Sequence, residues 1–275
     1  MRFTSLRHSL LSLFWIANMT VIASAQSEPK INIRKETPPL PPEEIIQKFA
    51  AKEEEFRKAR DKYTYRQTVK MEVLEQDGRR TGEEYFVLSD ILFDDRGRRV
   101  EKVLKAPPST LQRILLTPED LSDIQNIYPF VLTSTSIGKY NLTYLGKEKI
   151  DEIDCYVFDV TPKHIEGEER FFEGKIWVDD LDLQIVKTFG KTVYQITKKT
   201  REQRFPRFET YRSNVDGKYW FPIYTKADDV LHFPNGDNVR IREVVKYENY
   251  KRFEAEVKIT VADETAPEEK KVNPK

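Results

Sequence analysis

The sequence predicts a mainly β (α+β) protein built on one strongly curved antiparallel sheet or barrel of about eleven strands, with two helices packed against it. Three observations carry this reading. From about residue 139 to residue 261, apolar side chains recur at every second position, the period of a half-buried strand. The runs are separated by short turn signals such as Asp77-Gly78, Val215-Asp216-Gly217 and Asn235-Gly236, which favour hairpins over long crossovers. Helical periodicity is confined to two stretches, near residues 43–60 and 118–128.

Taken in order, residues 1–25 have the form of a cleaved secretory leader. Arg2 and Arg7 precede a mostly apolar run from Leu10 to Ala23, and Ala23-Ser24-Ala25 supplies a cleavage site before Gln26. The run is about 14 residues, short of the roughly 20 that a spanning helix needs, and no other segment is long enough to cross a bilayer. A soluble product outside the cytoplasm, in the periplasm, is expected. Removing the leader takes Arg2, Arg7 and His8 with it and leaves the chain slightly acidic.

Residues 26–42 are polar and end in Thr37-Pro-Pro-Leu-Pro-Pro42, which reads as a stiff extended spacer. A helix is expected from Glu43 to Arg60. Pro42 suits its first turn, Glu43 and Glu44 complement its dipole, and Ile45, Ile46, Phe49 and Phe56 form its apolar stripe, with lysines and glutamates on the other face. Tyr63, Tyr65, Val69, Met71 and Val73 then alternate with polar residues as a strand. The return strand, 81–93, is apolar on both faces, so both should be partly covered. Pro107-Pro108 interrupts the sheet. Thr117 caps a short second helix opened by Pro118, with Leu121, Ile124 and Tyr128 on its apolar edge and Pro129 limiting it. Strands fill the remainder to Val261, among them an Asn235-Gly236 type I′ hairpin. Residues 262–275 form a charged tail without aromatics, read as disordered. The folded domain is thus 43–261.

Composition narrows the function. The chain carries 46 basic and 46 acidic residues, so no basic surplus points to nucleic acid. One Cys and three His leave no disulfide framework and no metal-ligand spacing. Cys155 lies in a strand and reads as a buried apolar residue. Asp94-Asp95 and Asp179-Asp180 fall at turns, where aspartate mimics a backbone turn. No phosphate-binding loop, dinucleotide turn, nucleophile elbow or zinc helix is present. The expectation is a binding protein, not an enzyme, with no catalytic residues, metal or cofactor. One basic run stands out, with Lys198, Lys199, Arg201 and Arg204 at its centre between Lys187 and Arg207, and Glu202 as its one acid. It reads either as a solvated loop or as a contact for anionic headgroups or an acidic partner.

Three motifs carry a family likeness: Gly174-Lys-Ile-Trp-Val-Asp179 with Leu183-Gln-Ile-Val-Lys187, Asp216-Gly-Lys-Tyr-Trp-Phe-Pro222, and Tyr144-Leu-Gly-Lys-Glu148 before Tyr156-Val-Phe158. With the element order of residues 43–260, they resemble bacterial outer-membrane lipoprotein-sorting proteins, the LolA/LolB/RseB-like group. The resemblance implies a curved, incomplete antiparallel β-barrel with helices covering its concave side and an apolar cavity for acyl chains of lipids or lipoproteins. Tyr65, Val69, Met71, Val87, Ile91 and Phe158 are the candidate cavity residues, although from spacing alone an ordinary dry core accounts for them. Two functions follow from the resemblance: a periplasmic carrier of lipid or lipoprotein, or a non-enzymatic envelope-sensing module that binds an inner- or outer-membrane protein.

Overall fold

The computed structural model describes residues 31–252, apart from Asp95, Gly97, Glu168, residues 196–204 and Pro234. The leader, the strand expected at 253–261, the tail, and Lys198, Lys199, Arg201 and Arg204 lie outside the described residues. Within them the chain forms α1 (Pro42–Arg60), β1 (Tyr63–Leu74), β2 (Arg80–Phe93), β3 (Arg99–Lys105), α2 (Pro118–Asn126), β4 (Tyr140–Ile150), β5 (Ile153–Pro162), β6 (Phe171–Asp179), β7 (Ile185–Val193), β8 (Phe208–Asn214), β9 (Trp220–His232) and β10 (Asn238–Arg252).

The ten described strands make one antiparallel sheet in the order β3-β2-β1-β10-β9-β8-β7-β6-β5-β4. Every neighbour is a sequence neighbour except β1 and β10, which pair from Tyr63↔Arg252 to Leu74↔Arg240 and so join the first and last of the described strands. The sheet is open, with β3 and β4 as its edges. The segment between them carries α2 across one face. That face buries a large apolar cluster in which Ile45, Phe49 and Ala50 of α1 and Ile124 of α2 meet Val69 of β1, Phe158 of β5, Ile176 of β6, Phe208 of β8 and Val245 of β10. Strands at both ends of the order reach one cluster because a twisted sheet of this width curls around its helices.

α1 begins where Pro41 and Pro42 pre-set the backbone, and it carries Glu43 and Glu44 in its first turn and Arg57, Lys58 and Arg60 in its last. The expected apolar stripe is present in Ile45, Phe49 and Phe56, while Ile46 is only partly buried. Glu53 departs from the expected polar face: it is fully buried, and Arg212 of β8 holds it through Nη1, 3.0 Å from each carboxylate oxygen. The Asn235-Gly236 hairpin also departs from expectation. Gly236 has φ +88°, but the Phe233 N–H bonds the Asp237 carbonyl at 3.0 Å, which leaves three residues in the loop where a type I′ hairpin has two. The bond from Gly236 N–H to the Phe233 carbonyl instead closes a three-residue loop.

The edge strand β4 is covered by chain from the expected spacer. Arg34 exchanges backbone hydrogen bonds of 2.7 and 2.9 Å with Lys147, and Tyr144 donates its hydroxyl to the Glu36 carbonyl at 3.1 Å. Gly146 permits this approach, since a Cβ there would stand 2.3 Å from the Arg34 carbonyl oxygen. Among the described residues no helix is long and apolar enough to cross a membrane.

Candidate functional site

The site is built from the segment that breaks the sheet. After β3 the chain is strapped to β2 by Glu83, whose carboxylate accepts from the Gln112 and Arg113 N–H groups at 2.9 and 3.0 Å and from Arg113 Nε at 2.7 Å. This fixes Leu111–Leu116 over the inner face, where Ile114 joins Met71, Val73, Leu231, Val239 and Ile241 in a second, smaller apolar cluster. Thr117 and Asp120 then cap α2 reciprocally: Thr117 N–H donates to the Asp120 carboxylate at 2.9 Å, and Asp120 N–H to Thr117 Oγ1 at 3.3 Å.

Between α2, this segment and the sheet lies a cavity of about 270 Å³. Its floor is Met71, Leu231 and Ile241; Ile114, Leu116 and Ile124 cover it, and Phe205 and Pro206 close one side. An apolar cavity of ~150 Å³ is already large enough to admit benzene. Leu115 at the rim is 85% exposed.

The cavity wall also holds polar groups. Glu243, 1% exposed, accepts the Tyr128 hydroxyl on Oε2 at 2.7 Å, and its Oε1 has no hydrogen-bond partner. Burial pushes the Glu243 carboxyl up to about 7, against the Tyr128 hydrogen bond and with help from the charges of Asp120 and Asp123. Asp123 accepts from Arg170 Nη1 at 2.6 Å, and burial raises it to about 6 despite that guanidinium. Arg170 is itself engaged, lying over the Phe205 ring at 4.7 Å and the Tyr194 ring at 5.6 Å.

The six candidate residues are not gathered in this cavity. Met71 lies in its floor. Tyr65 lines a separate cavity of about 210 Å³ with Arg99, Tyr247 and Tyr250. Val69 and Phe158 sit in the main core, where the Phe158 ring is 5.6 Å from Phe49. Ile91 is fully buried and Val87 half-buried, and neither lines either cavity. Reading by period alone missed Ile114, Leu231, Asp123, Arg170 and Glu243 as neighbours. Glu243 was legible in principle: it falls in the phase of Val239, Ile241, Val245 and Tyr247, an acid at an inward position.

Of the basic run, the described members are paired. Lys187 is 3.6 Å from Glu209 and lies over the Trp177 and Tyr211 rings, Lys191 is 3.5 Å from Glu173, and Arg207 is 3.5 Å from Asp229. Cys155 is fully buried, and burial pushes its thiol up to about 12. His164 and His232 are exposed.

No protein family's sequence model matches this chain, and no curated protein sequence matches it. Solved structures do. A DUF1329 family protein from Desulfovibrio piger aligns over 82% of this chain and 96% of its own, with 14% identity and a TM-score of 0.36. A LolA superfamily protein from Nitrosomonas europaea aligns over 76% and 94%, with 16% identity and a TM-score of 0.34. A domain from Vibrio parahaemolyticus described as of the outer membrane lipoprotein-sorting kind aligns over 77% and 93%, with 13% identity and a TM-score of 0.31. The group that the sequence motifs resemble is therefore represented among the structural matches.

Proposed function

We propose that this protein is a periplasmic, non-enzymatic carrier that holds an acyl chain of a lipid or lipoprotein in the cavity beneath α2. The observation that supports it is the cavity of about 270 Å³, one side of which is formed by Met71, Ile114, Leu116, Leu231 and Ile241. At ~30 Å³ per water-sized group, that space takes about nine methylenes. At ~0.8 kcal/mol per buried CH₂, the chain contributes at most about 7 kcal/mol, which corresponds to micromolar affinity. The leader pattern of residues 1–25 supports export.

Two measurements test the reading. Lipid extracted from protein purified out of its native host is identified by mass spectrometry. In parallel, a series of n-alkanols displaces a neutral fluorescent probe. Affinity is expected to rise with chain length to about ten carbons and then level off, and Ile241→Trp, which fills the cavity, is expected to weaken it at least tenfold. Absence of both co-purifying lipid and displacement by any chain overturns the proposal.

The second reading, an envelope-sensing module that binds a membrane protein, is favoured by a different observation. The edge strand β3 leaves Val100, Val103 and Leu104 between 42% and 55% exposed. Crosslinking in cells separates the two: one dominant protein partner favours the module, and many lipoproteins favour the carrier.

A further inference from the structure

The polar side of the cavity carries information that its apolar floor does not. Among the described residues, Glu119, Asp120, Asp123 and Glu243 line it, against a single cation, Arg170. Asp120 is held in the α2 cap and Asp123 on Arg170. Arg170 also lies over the Phe205 and Tyr194 rings, so it is not a free anchor for an incoming anion. Glu243 is different. Only Oε2 is engaged, and the Tyr128 that engages it is itself locked: its ring lies 4.4 Å from that of Phe208, and its carbonyl accepts the Thr210 hydroxyl at 2.8 Å. Tyr128 has one hydroxyl proton and cannot serve both oxygens. The result is a buried acceptor in the cavity wall with no partner from the protein. Buried polar atoms are ordinarily satisfied, and one that is not calls for a partner from elsewhere.

We infer that the cavity selects an apolar chain whose polar end donates hydrogen bonds, an amine, alcohol or amide, with Glu243 Oε1 as the acceptor, and that it discriminates against a free carboxylate. This rests on the chain-binding proposal above and names the head chemistry that goes with it. A donor head completes the Glu243 carboxylate. A carboxylate head brings a fifth acid to a wall whose one described cation, Arg170, is already committed to Asp123.

The test uses the leaderless full chain and three ten-carbon ligands, decylamine, decanol and decanoate, each below its aggregation concentration and each measured by displacement of the same neutral fluorescent probe at pH 7.5. Decylamine and decanol are expected to bind at least about tenfold more tightly than decanoate, in line with a hydrogen bond to a charged acceptor. Glu243→Gln is expected to lower decylamine affinity at least fivefold and to raise that of decanoate, with an unchanged circular dichroism spectrum. The comparison of the three ligands on the unmodified protein stands even if that variant fails to fold. If decanoate binds as well as the donors, or if Glu243→Gln folds and leaves the ratio unchanged, this inference falls while chain binding stands. If none of the three binds, chain binding falls and the inference falls with it.

Discussion

Arg212→Met is expected to be among the most damaging single substitutions in this fold. Arg212 and Glu53 each have side chains 1% exposed. Nη1 of Arg212 bonds both Glu53 oxygens at 3.0 Å, while Nη2 donates to the carbonyls of Pro129 and Phe130, the second of these a short contact. Glu53 Oε1 also accepts the Ile185 N–H at 3.2 Å, and the guanidinium lies over the Phe56 ring at 5.1 Å. One ion pair thus fastens α1, β7, β8 and the chain that leaves α2. Burial pulls the Glu53 carboxyl upward and Arg212 opposes it.

Removing the guanidinium strands a carboxylate inside the core, which costs ~3–5 kcal/mol. Each of the two carbonyls left without a donor adds about 1 kcal/mol. A domain's whole stability is only ~5–15 kcal/mol, so the variant sits near its unfolding threshold. Replacing both partners, Glu53→Leu with Arg212→Met, removes the charges together and leaves the Ile185 N–H and two carbonyls as the main defect. The double variant is therefore expected to be more stable than Arg212→Met alone. Urea denaturation followed by tryptophan fluorescence and circular dichroism measures both. A loss below ~1 kcal/mol for the single variant, the range of an exposed pair, would refute the reasoning, as would a double variant no more stable than Arg212→Met.

Other substitutions test other parts of the fold. Gly190→Ala would place a Cβ 2.3 Å from the Glu173 carbonyl oxygen and 2.6 Å from the Phe172 ring, so a loss of ~1–3 kcal/mol is expected, visible as a lower melting temperature; an unchanged one rejects the close approach of β6 and β7. Cys155 is expected to resist an aromatic disulfide reagent until urea unfolds the chain, and prompt labelling of the native protein would contradict its burial. The pH dependence has a definite sign at Glu243. Its carboxyl titrates at about 7 in the fold against an ordinary 4.5, so between those values the folded state keeps a proton that the unfolded state has lost. Stability is then full below 4.5 for this group and falls as pH rises through 7, by about 3 kcal/mol at ~1.4 kcal/mol per pH unit. Urea midpoints at pH 5 and pH 8 measure the change, Glu243→Gln is expected to reduce it to the smaller part that Asp123 carries, and equal slopes in both proteins would refute the assignment.

The scaffold was largely legible because alternation and turns are local signals. Thr117 and Pro118 announced α2, and the apolar phase of β1 placed Val69, Met71 and Val73 on the inner face. The cavity was far less legible, because it is made by residues whose meeting depends on the β1–β10 pairing and on the path of Leu111–Leu116. Ile114 reaches Met71 only because Glu83 on β2 holds the strap in place. Phe158 looks like Met71 in sequence, yet it lies under α1 and packs dry against Phe49. Period two assigns a residue to a face, but not to the part of that face that a helix fails to fill.

Glu53 and Glu243 show where that limit falls. Both are acids at positions whose neighbours in phase are apolar: Glu53 follows Ile45 and Phe49 on α1, and Glu243 lies between Ile241 and Val245 on β10. The pattern assigned the glutamates of α1 to the polar face and did not single out Glu243, yet both acids turn inward. Their surroundings separate them. Glu53 meets a guanidinium and a backbone N–H, so both of its oxygens are satisfied and its role is to hold elements together. Glu243 meets one phenol, keeps one oxygen unpartnered and borders open space. An inward acid that the fold satisfies is a fastening; one that the fold leaves half-satisfied beside a cavity is where a ligand's polar end belongs.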